Sequence, residues 1–348
     1  MKYAARKMVR LLNLNYGKYW KIVNNDSHYE FGADERICKD ADRVNKTNGP
    51  IQFVTYDLCC RVIADGKYDL NPYYPDNSGE SIYKGYKEFV GSTNDINTAI
   101  ENINLDDWYM NEYLIAVPTD GGKPFELRYN GEEFVPLRLP SSKFIKGKNA
   151  LQRCALDMLA NPNITICGVL GNYGSGKSYL TMRMGLYSVR EKGYQSKIVG
   201  VREYRGEGEE IGFLPGEKEA KLNDFFLPLA QQLDGGEFEL ESMKQRGEIE
   251  INTPFFMKGT TYDNSIILVD EAEDLKEKQI KLIGTRVGQN GRIFFSGDYK
   301  QSLICDNENN ALVRTCNTLK GKPEFACIYL DDDVRSDTSK IFATLFED

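Results

Sequence analysis

Gly171-Asn172-Tyr173-Gly174-Ser175-Gly176-Lys177-Ser178 fits G-x-x-x-x-G-K-[ST], a loop whose backbone wraps phosphate groups. An apolar run, Ile164–Leu170, leads in as a predicted strand, and residues 177–191 lead out as a predicted helix. Glycines let the backbone turn so that successive N–H groups face one anion. The helix behind them presents its positive end to the same charge. Lys177 then supplies a point charge, the Ser178 hydroxyl a ligand for Mg²⁺, and Tyr179 follows at the helix start. Residues 171–179 therefore read as the cradle of a nucleoside triphosphate, with ATP and Mg²⁺ as the expected cofactors.

Outward from this loop, residues 141–348 alternate strand and helix. Strands are predicted at Ile164–Leu170, Lys197–Val201, Ile249–Thr253, Ser265–Val269, Arg292–Ser296 and Phe325–Leu330. Helices are predicted at 149–160, 177–191, 217–233, 276–287, 308–318 and 337–346. Several of the strands are apolar without alternation, as strands covered on both faces are. The expected fold is α/β: a doubly wound parallel sheet of the P-loop NTPase kind. Two of its strands end in polar residues suited to phosphate chemistry. Ile266–Val269 runs into Asp270-Glu271, where the aspartate suits Mg²⁺ and the glutamate suits a base acting on water. Phe294-Phe295-Ser296 runs into Gly297-Asp298-Tyr299-Lys300-Gln301, which places an amide where it can sense a terminal phosphate.

Composition narrows the classes. The 348 residues suggest two or three domains, and 41% hydrophobic content is enough for real cores. A net charge of −8 gives no global support to nucleic-acid binding, which then needs a local basic groove. Eight cysteines without a C-x-x-C pair, beside a single histidine, argue against zinc and for reduced thiols in a cytoplasmic protein. No apolar run has the ~18 residues of a membrane span. The basic amino terminus lacks a signal peptide's apolar core.

At this point 141–348 resembles the ATPase domain of the PhoH-like family, itself similar to the RecA-like core of superfamily 1 helicases. The landmarks occur in order: the loop at 171–178, Gly212-Phe213-Leu214-Pro215-Gly216, Asp270-Glu271-Ala272, Thr285-Arg286-Val287-Gly288, Gly297-Asp298 with Gln301, and Arg335-Ser336. The resemblance implies ATP hydrolysis with Lys177, Glu271, Gln301, Arg286 and Arg335 as catalytic residues, the two arginines acting in cis or from a neighbouring subunit. It also implies Gln152 as a reader of adenine, Arg202 as a phosphate or RNA contact, Ser178 and Asp270 as metal ligands, and a homo-oligomer, in the family a ring such as a hexamer. Three departures bear on RNA. Glu203 stands where the family has Pro, Glu273 and Asp274 replace Gln and Asn, and Lys258-Gly259-Thr260-Thr261 replaces a more basic stretch. Arg and Lys differ where a fork grips phosphate. A thymidine-type kinase also ends a strand in Asp-Glu but brings a four-cysteine zinc ribbon, which this sequence lacks.

Residues 1–80 read as mixed α/β: helix near Tyr3–Leu12, strand Tyr19–Val23, helix Asp34–Asn45, strand Ile51–Thr55, and a linker from Asn71 to Glu80. Asp34-Glu35-Arg36-Ile37 and Phe53-Val54-Thr55-Tyr56-Asp57 resemble two elements of a PIN nuclease domain. There Asp34 and Asp57 would bind Mn²⁺ or Mg²⁺ for phosphodiester cleavage. A full PIN domain has two earlier acids, and nothing in 1–33 supplies them. The expectation is a partial PIN-like domain, either degenerate or truncated, or else a sequence that starts inside it; a helix cap and a turn acid are the plainer roles for the two aspartates. Lys2, Arg6, Lys7, Arg10, Lys18 and Lys21, with Tyr16, Tyr19 and Trp20, form a basic aromatic segment suited either to RNA or to solvent. Residues 81–140 read as a small β-rich module with extended pieces at Tyr83–Val90, Tyr113–Val117, Phe125–Tyr129 and Glu133–Leu137, and with turns at Gly121-Gly122 and Asn130-Gly131. Two functions stay open: an RNA-acting ATPase or helicase with a vestigial nuclease, and an ATP-regulated oligomeric switch that unwinds nothing.

Overall fold

The structure, a computed structural model, describes residues 32–73, 82–203 and 227–331. The chain forms two compact units; the smaller contains 32–73, 89–104 and 117–123 of the described residues, the larger the remainder. The predicted pieces Tyr3–Leu12, Tyr19–Val23 and 337–346, the basic amino-terminal segment, Gly212–Gly216 and Arg335 lie outside the described residues.

The smaller unit is mostly helical. A helix spans Ala33–Asn48, with Asp34 and Glu35 in its first turn, where the helix dipole favours acids. A second, Leu58–Tyr68, was not expected from sequence; it buries Cys59, Cys60, Ile63 and Ala64, an i, i+4 stripe. A third, Thr93–Glu101, also unexpected, is capped by the Ser92 side chain. The predicted strand Ile51–Thr55 is corrected to a single parallel bridge, Val54 with Tyr73, closed by the Tyr73 N–H to Phe53 O at 2.7 Å. Val54 remains 51% exposed, so its alternating pattern finds no sheet to bury it.

Strand β1 (Tyr86–Gly91), β2 (Tyr113–Pro118), β3 (Phe125–Tyr129) and β4 (Phe134–Pro136) follow in sequence order in a four-stranded sheet. The expected hairpin at Asn130-Gly131 joins β3 to β4 antiparallel, with Gly131 at φ +98°.

The larger unit carries the parallel sheet. Its strands are β5 (Ile166–Gly171), β6 (Lys197–Val201), β7 (Ile249–Asn252), β8 (Ser265–Val269), β9 (Arg292–Gly297) and β10 (Phe325–Leu330), in the order β10-β5-β9-β8-β6-β7. Every recorded pair is parallel. β8, β9 and β10 are buried throughout, which explains their unbroken apolar runs. Neighbouring residues feed different cores. Val199, Val201, Ile267 and Val269 pack with Ile280, Ile283, Leu312 and Val313 from helices Glu277–Gly284 and Ala311–Leu319. Ile198, Ile249 and Leu268 pack with Met182, Leu186, Leu240 and Met243 from helices Lys177–Leu186 and Gly236–Gln245. The sheet is thus covered on both faces.

Several boundaries moved. The helix expected to 191 stays α-helical to Leu186, then widens into a π turn, Tyr187–Lys192, ended by Gly193 at φ +62°. The helix Gly236–Gln245 was hidden by Gly235-Gly236, which reads as a breaker. β5 starts at Ile166, because the Ile164 carbonyl turns instead to the Arg292 guanidinium at 2.9 Å. That buried arginine also holds the carbonyls of Leu159 and Asn161, at the end of helix Ala150–Ala160. All eight cysteines are free, and among the described residues no helix is long and apolar enough to cross a membrane.

Candidate functional site

The route from β5 leads toward β6, across β9 and β8, while the route from β9 leads past β5 to β10. The direction of winding therefore reverses between β5 and β9, where open α/β sheets place ligands beyond the strand ends. β5 ends on Gly171, at φ +144°; a Cβ there would stand 2.3 Å from the Leu330 carbonyl, so only glycine fits. Gly176 closes the loop at φ +92° and precedes helix Lys177–Leu186 without a side-chain cap. The first N–H groups of that helix are left for an anion.

The loop is braced from several sides. Ser175 Oγ donates to Asn172 O at 2.8 Å, Tyr329 donates its hydroxyl to Asn172 Oδ1 at 3.0 Å, and Asn172 Nδ2 donates to Asp331 O at 3.2 Å. Gln152 Nε2 donates to Ser175 O at 2.9 Å. Lys177 Nζ rests on the carbonyls of Gly171 and Asn172 at 2.9 and 3.0 Å. Burial holds the Lys177 ammonium below its ordinary pKa, opposed by Asp298, Glu273, Glu271 and Asp270.

Asp270, at the end of β8, is 3% exposed and accepts the hydroxyls of Ser178 at 2.8 Å and Ser296 at 3.2 Å. Burial, then the charge of Glu271, pushes its carboxyl above the usual range. Glu271 adopts a left-handed backbone, φ +50°, and pairs with Arg202 at 3.3 Å. Glu273 is buried with Oε2 unpartnered; burial, then the charge of Glu271, pushes its carboxyl well above the usual range. Burial likewise raises Asp298, against the pull of Lys177.

A cleft of about 250 Å³ is lined by Tyr173, Gly174, Gly176, Lys177, Ser178, Tyr179, Asp270, Glu271 and Gln301 from the sequence reading, and by Gln232, Ser296 and Asp298 besides. Gly171, Asn172, Ser175 and Gln152 form or brace the loop without lining the cleft. Arg286 is not among the lining residues; its carbonyl accepts the Tyr262 N–H at 2.8 Å. Ser296 was legible as the last polar residue of a strand beside β8, whereas nothing in the sequence marked Gln232.

The smaller unit gathers a different set of acids. Asp57 caps helix Leu58–Tyr68, accepting the Cys60 N–H at 2.9 Å. Burial, with the charges of Asp57 and Asp95, lifts Asp34 to about 6. Asp95, which the sequence reading missed, accepts the Glu35 N–H at 3.1 Å and the Ser92 hydroxyl at 2.7 Å. Among the described residues no group of three or more His, Cys, Asp or Glu side chains is arranged to hold a metal.

The sequence profile of a family described as PhoH-like protein matches residues 144–347. The chain is 27% identical over 368 aligned residues to Protein PhoH2 of Bacillus subtilis, a match that takes in 96% of this chain and 82% of that protein. It is 30% identical over 208 residues to Protein PhoH2 of Thermobispora bispora, covering 59% of this chain and 48% of that protein. With the PhoH-like protein of Bacillus subtilis it shares 30% identity over 164 residues, 47% of this chain and 51% of that protein. The matched stretch thus spans about half the length of these last two relatives.

Proposed function

The chain belongs to the PhoH-like family, an ATP-binding P-loop family, and from that premise we propose that it hydrolyses ATP with Mg²⁺ and acts on RNA through that cycle. One observation carries the ATP-hydrolysing part of the reading: Ser178 and Asp270 meet at 2.8 Å in the same cleft as Lys177 and Glu271. A divalent cation fits them, because a buried carboxylate held by two hydroxyls has charge left to neutralise. Ser178 and Asp270 would hold Mg²⁺, which would supply positive charge to offset that of the outer phosphates. Lys177 exchanges the carbonyls of Gly171 and Asn172 for phosphate oxygens. Glu271 accepts the proton of the attacking water, and Gln301 orients that water. Arg286, outside the cleft lining, and Arg335 are the arginines for a neighbouring subunit's site in a homo-oligomeric ring.

For the smaller unit we propose a degenerate nuclease fold. Asp57 is engaged as a helix cap and Asp95 by the Glu35 N–H and the Ser92 hydroxyl, which leaves little for a metal. The net charge of −8 and the thinned stretch Lys258-Gly259-Thr260-Thr261 favour a second reading, an ATP-driven switch without unwinding.

ATP turnover measured with and without single-stranded RNA, over a range of salt, tests this. The expected result is Mg²⁺-dependent hydrolysis that RNA stimulates. Turnover indifferent to RNA leaves the switch; no turnover sinks both readings. Glu271→Gln is expected to bind ATP normally and hydrolyse it slower by about 10²–10⁴-fold, and normal hydrolysis by that variant overturns the assignment of the base.

A further inference from the structure

Arg202 follows the last residue of β6, and Glu271 follows the buried Asp270 at the end of β8. The two strands run parallel with Val201 beside Val269, and the Asp270 N–H donates to Val201 O at 2.9 Å. This register brings Arg202 level with the acids of the cleft, and its Nη2 donates to Glu271 Oε1 at 3.3 Å. Both ends of the pair are anchored. Glu271 sits at φ +50°, uncommon for a residue with a side chain, and its carbonyl accepts the Asp274 N–H at 3.2 Å. Glu203, next after Arg202, accepts Gln279 Nε2 at 2.7 Å, in the first turn of helix Glu277–Gly284.

The pair draws one oxygen of the base toward β6, whereas β5 and its phosphate loop lie beyond β9, on the other side of β8. Turning that oxygen toward a water in the cleft costs a charge-assisted hydrogen bond. Glu271 lines the cleft and Arg202 does not. The guanidinium instead belongs to the strand whose other neighbour is β7. Past the end of β7, the turn Pro254–Met257 carries Phe255 and Phe256, 69% and 40% exposed, with ring centroids 5.2 Å apart. Lys258 Nζ stands 5.4 Å from the Phe255 centroid. Exposed rings beside cations suit the bases and phosphates of a single strand.

We propose that Arg202 is a positioning residue that restrains Glu271, and that a backbone phosphate of single-stranded RNA lifts the restraint by taking over the guanidinium. A planar guanidinium is well matched to that exchange of carboxylate for phosphate. Glu271 is then free to turn to the attacking water, and ATP turnover rises when RNA lies along the ends of β6 and β7. This rests on the ATPase reading above and names the contact through which RNA acts on it.

The test uses the full chain and two variants, Arg202→Met, which keeps the apolar stem without the charge, and Arg202→Lys, which keeps the charge. kcat and KM for ATP are measured with and without single-stranded RNA, and thermal melting reports folding. Without RNA, Arg202→Met is expected to raise kcat about fivefold, the worth of one partly exposed ion pair, with KM unchanged. Arg202→Lys should restore the restraint and stay within about twofold of the unaltered chain. RNA should stimulate the unaltered chain and add little to Arg202→Met. The guanidinium charge also reaches Asp270, so the route is checked by combining Arg202→Met with Glu271→Gln, where the gain should vanish. A kcat for Arg202→Met at or below that of the unaltered chain, or a gain that survives Glu271→Gln, overturns the proposal. If Arg202→Met does not fold, Arg202→Gln decides by the same kcat. RNA that leaves turnover of the unaltered chain unchanged overturns the release, while the RNA-free kcat still decides the restraint. Absence of turnover in the unaltered chain and the variants alike sinks the ATPase reading itself.

Discussion

At the phosphate loop, Asp270 is buried with two hydroxyl groups as hydrogen-bond partners and lines an open cleft. In the smaller unit, Asp95 is as deeply buried, but its oxygens take up a backbone N–H at the start of helix Ala33–Asn48 and the hydroxyl of Ser92. Asp57 likewise caps a helix. Burial raises the carboxyl of Asp270 in the first region and that of Asp34 in the second. What separates the regions is the partner. A hydroxyl turns easily to a new acceptor and leaves the carboxylate for a cation, whereas a backbone N–H at a helix start is part of the fold. A buried acid signals a reactive site only when its partners are able to let go.

Five substitutions press on this contrast. Lys177→Ala has the largest expected effect: turnover falls by more than about a hundredfold, since it removes the charge proposed to meet the phosphates. Steady-state hydrolysis checks it, and residual turnover near the starting level would place the phosphate contact elsewhere. Asp270→Asn is expected to remove turnover yet raise folding stability by about 1–2 kcal/mol. The sign follows from its raised pKa: the stability of the protonated form is complete below about pH 4 and is lost as pH rises and the buried group ionises. A drop in the melting temperature of that variant breaks the contrast.

Asp57→Ala acts in the other direction, costing the smaller unit about 1 kcal/mol through the lost cap, with no change in ATP turnover. Mn²⁺-dependent RNA cleavage that disappears in Asp57→Asn would instead restore a nuclease there. An effect of similar size and opposite sign is expected from Asp34→Asn. With its pKa near 6, Asp34 destabilises the native state progressively as pH rises from about 4 to 6. Because the site is only half buried, solvent screening reduces the expected gain at pH 7 to about 1 kcal/mol. Urea melts at pH 5 and pH 7.5 should show the benefit of Asn at the higher pH.

Much of the larger unit was legible in the sequence. Buried parallel strands are continuous apolar runs, so β8, β9 and β10 were found where they lie, and their ends marked Asp270, Glu271 and Gln301. The smaller unit was less so. Helices Leu58–Tyr68 and Thr93–Glu101 are short and start at polar caps that read equally well as turns. Ile51–Thr55 looked like a strand, since alternation alone says nothing about whether a neighbouring strand exists. Asp95 was missed because it stands far along the chain from Asp34 and Asp57, and only folding makes their charges act on one another.

The sequence by itself determined the phosphate loop and the parallel strands around it, since glycine spacing, a Lys-Ser pair and apolar runs act through local backbone geometry. It determined the order of the landmarks that identify the family as well. Only the tertiary structure decided which groups face the cleft and which are already in use. Ser178 and Ser296 reach Asp270 from strands and helices more than twenty residues away, while Arg202 at the end of β6 is drawn to Glu271. Local sequence chooses a residue's chemistry, but long-range packing chooses its partner, and the partner decides whether that chemistry is available.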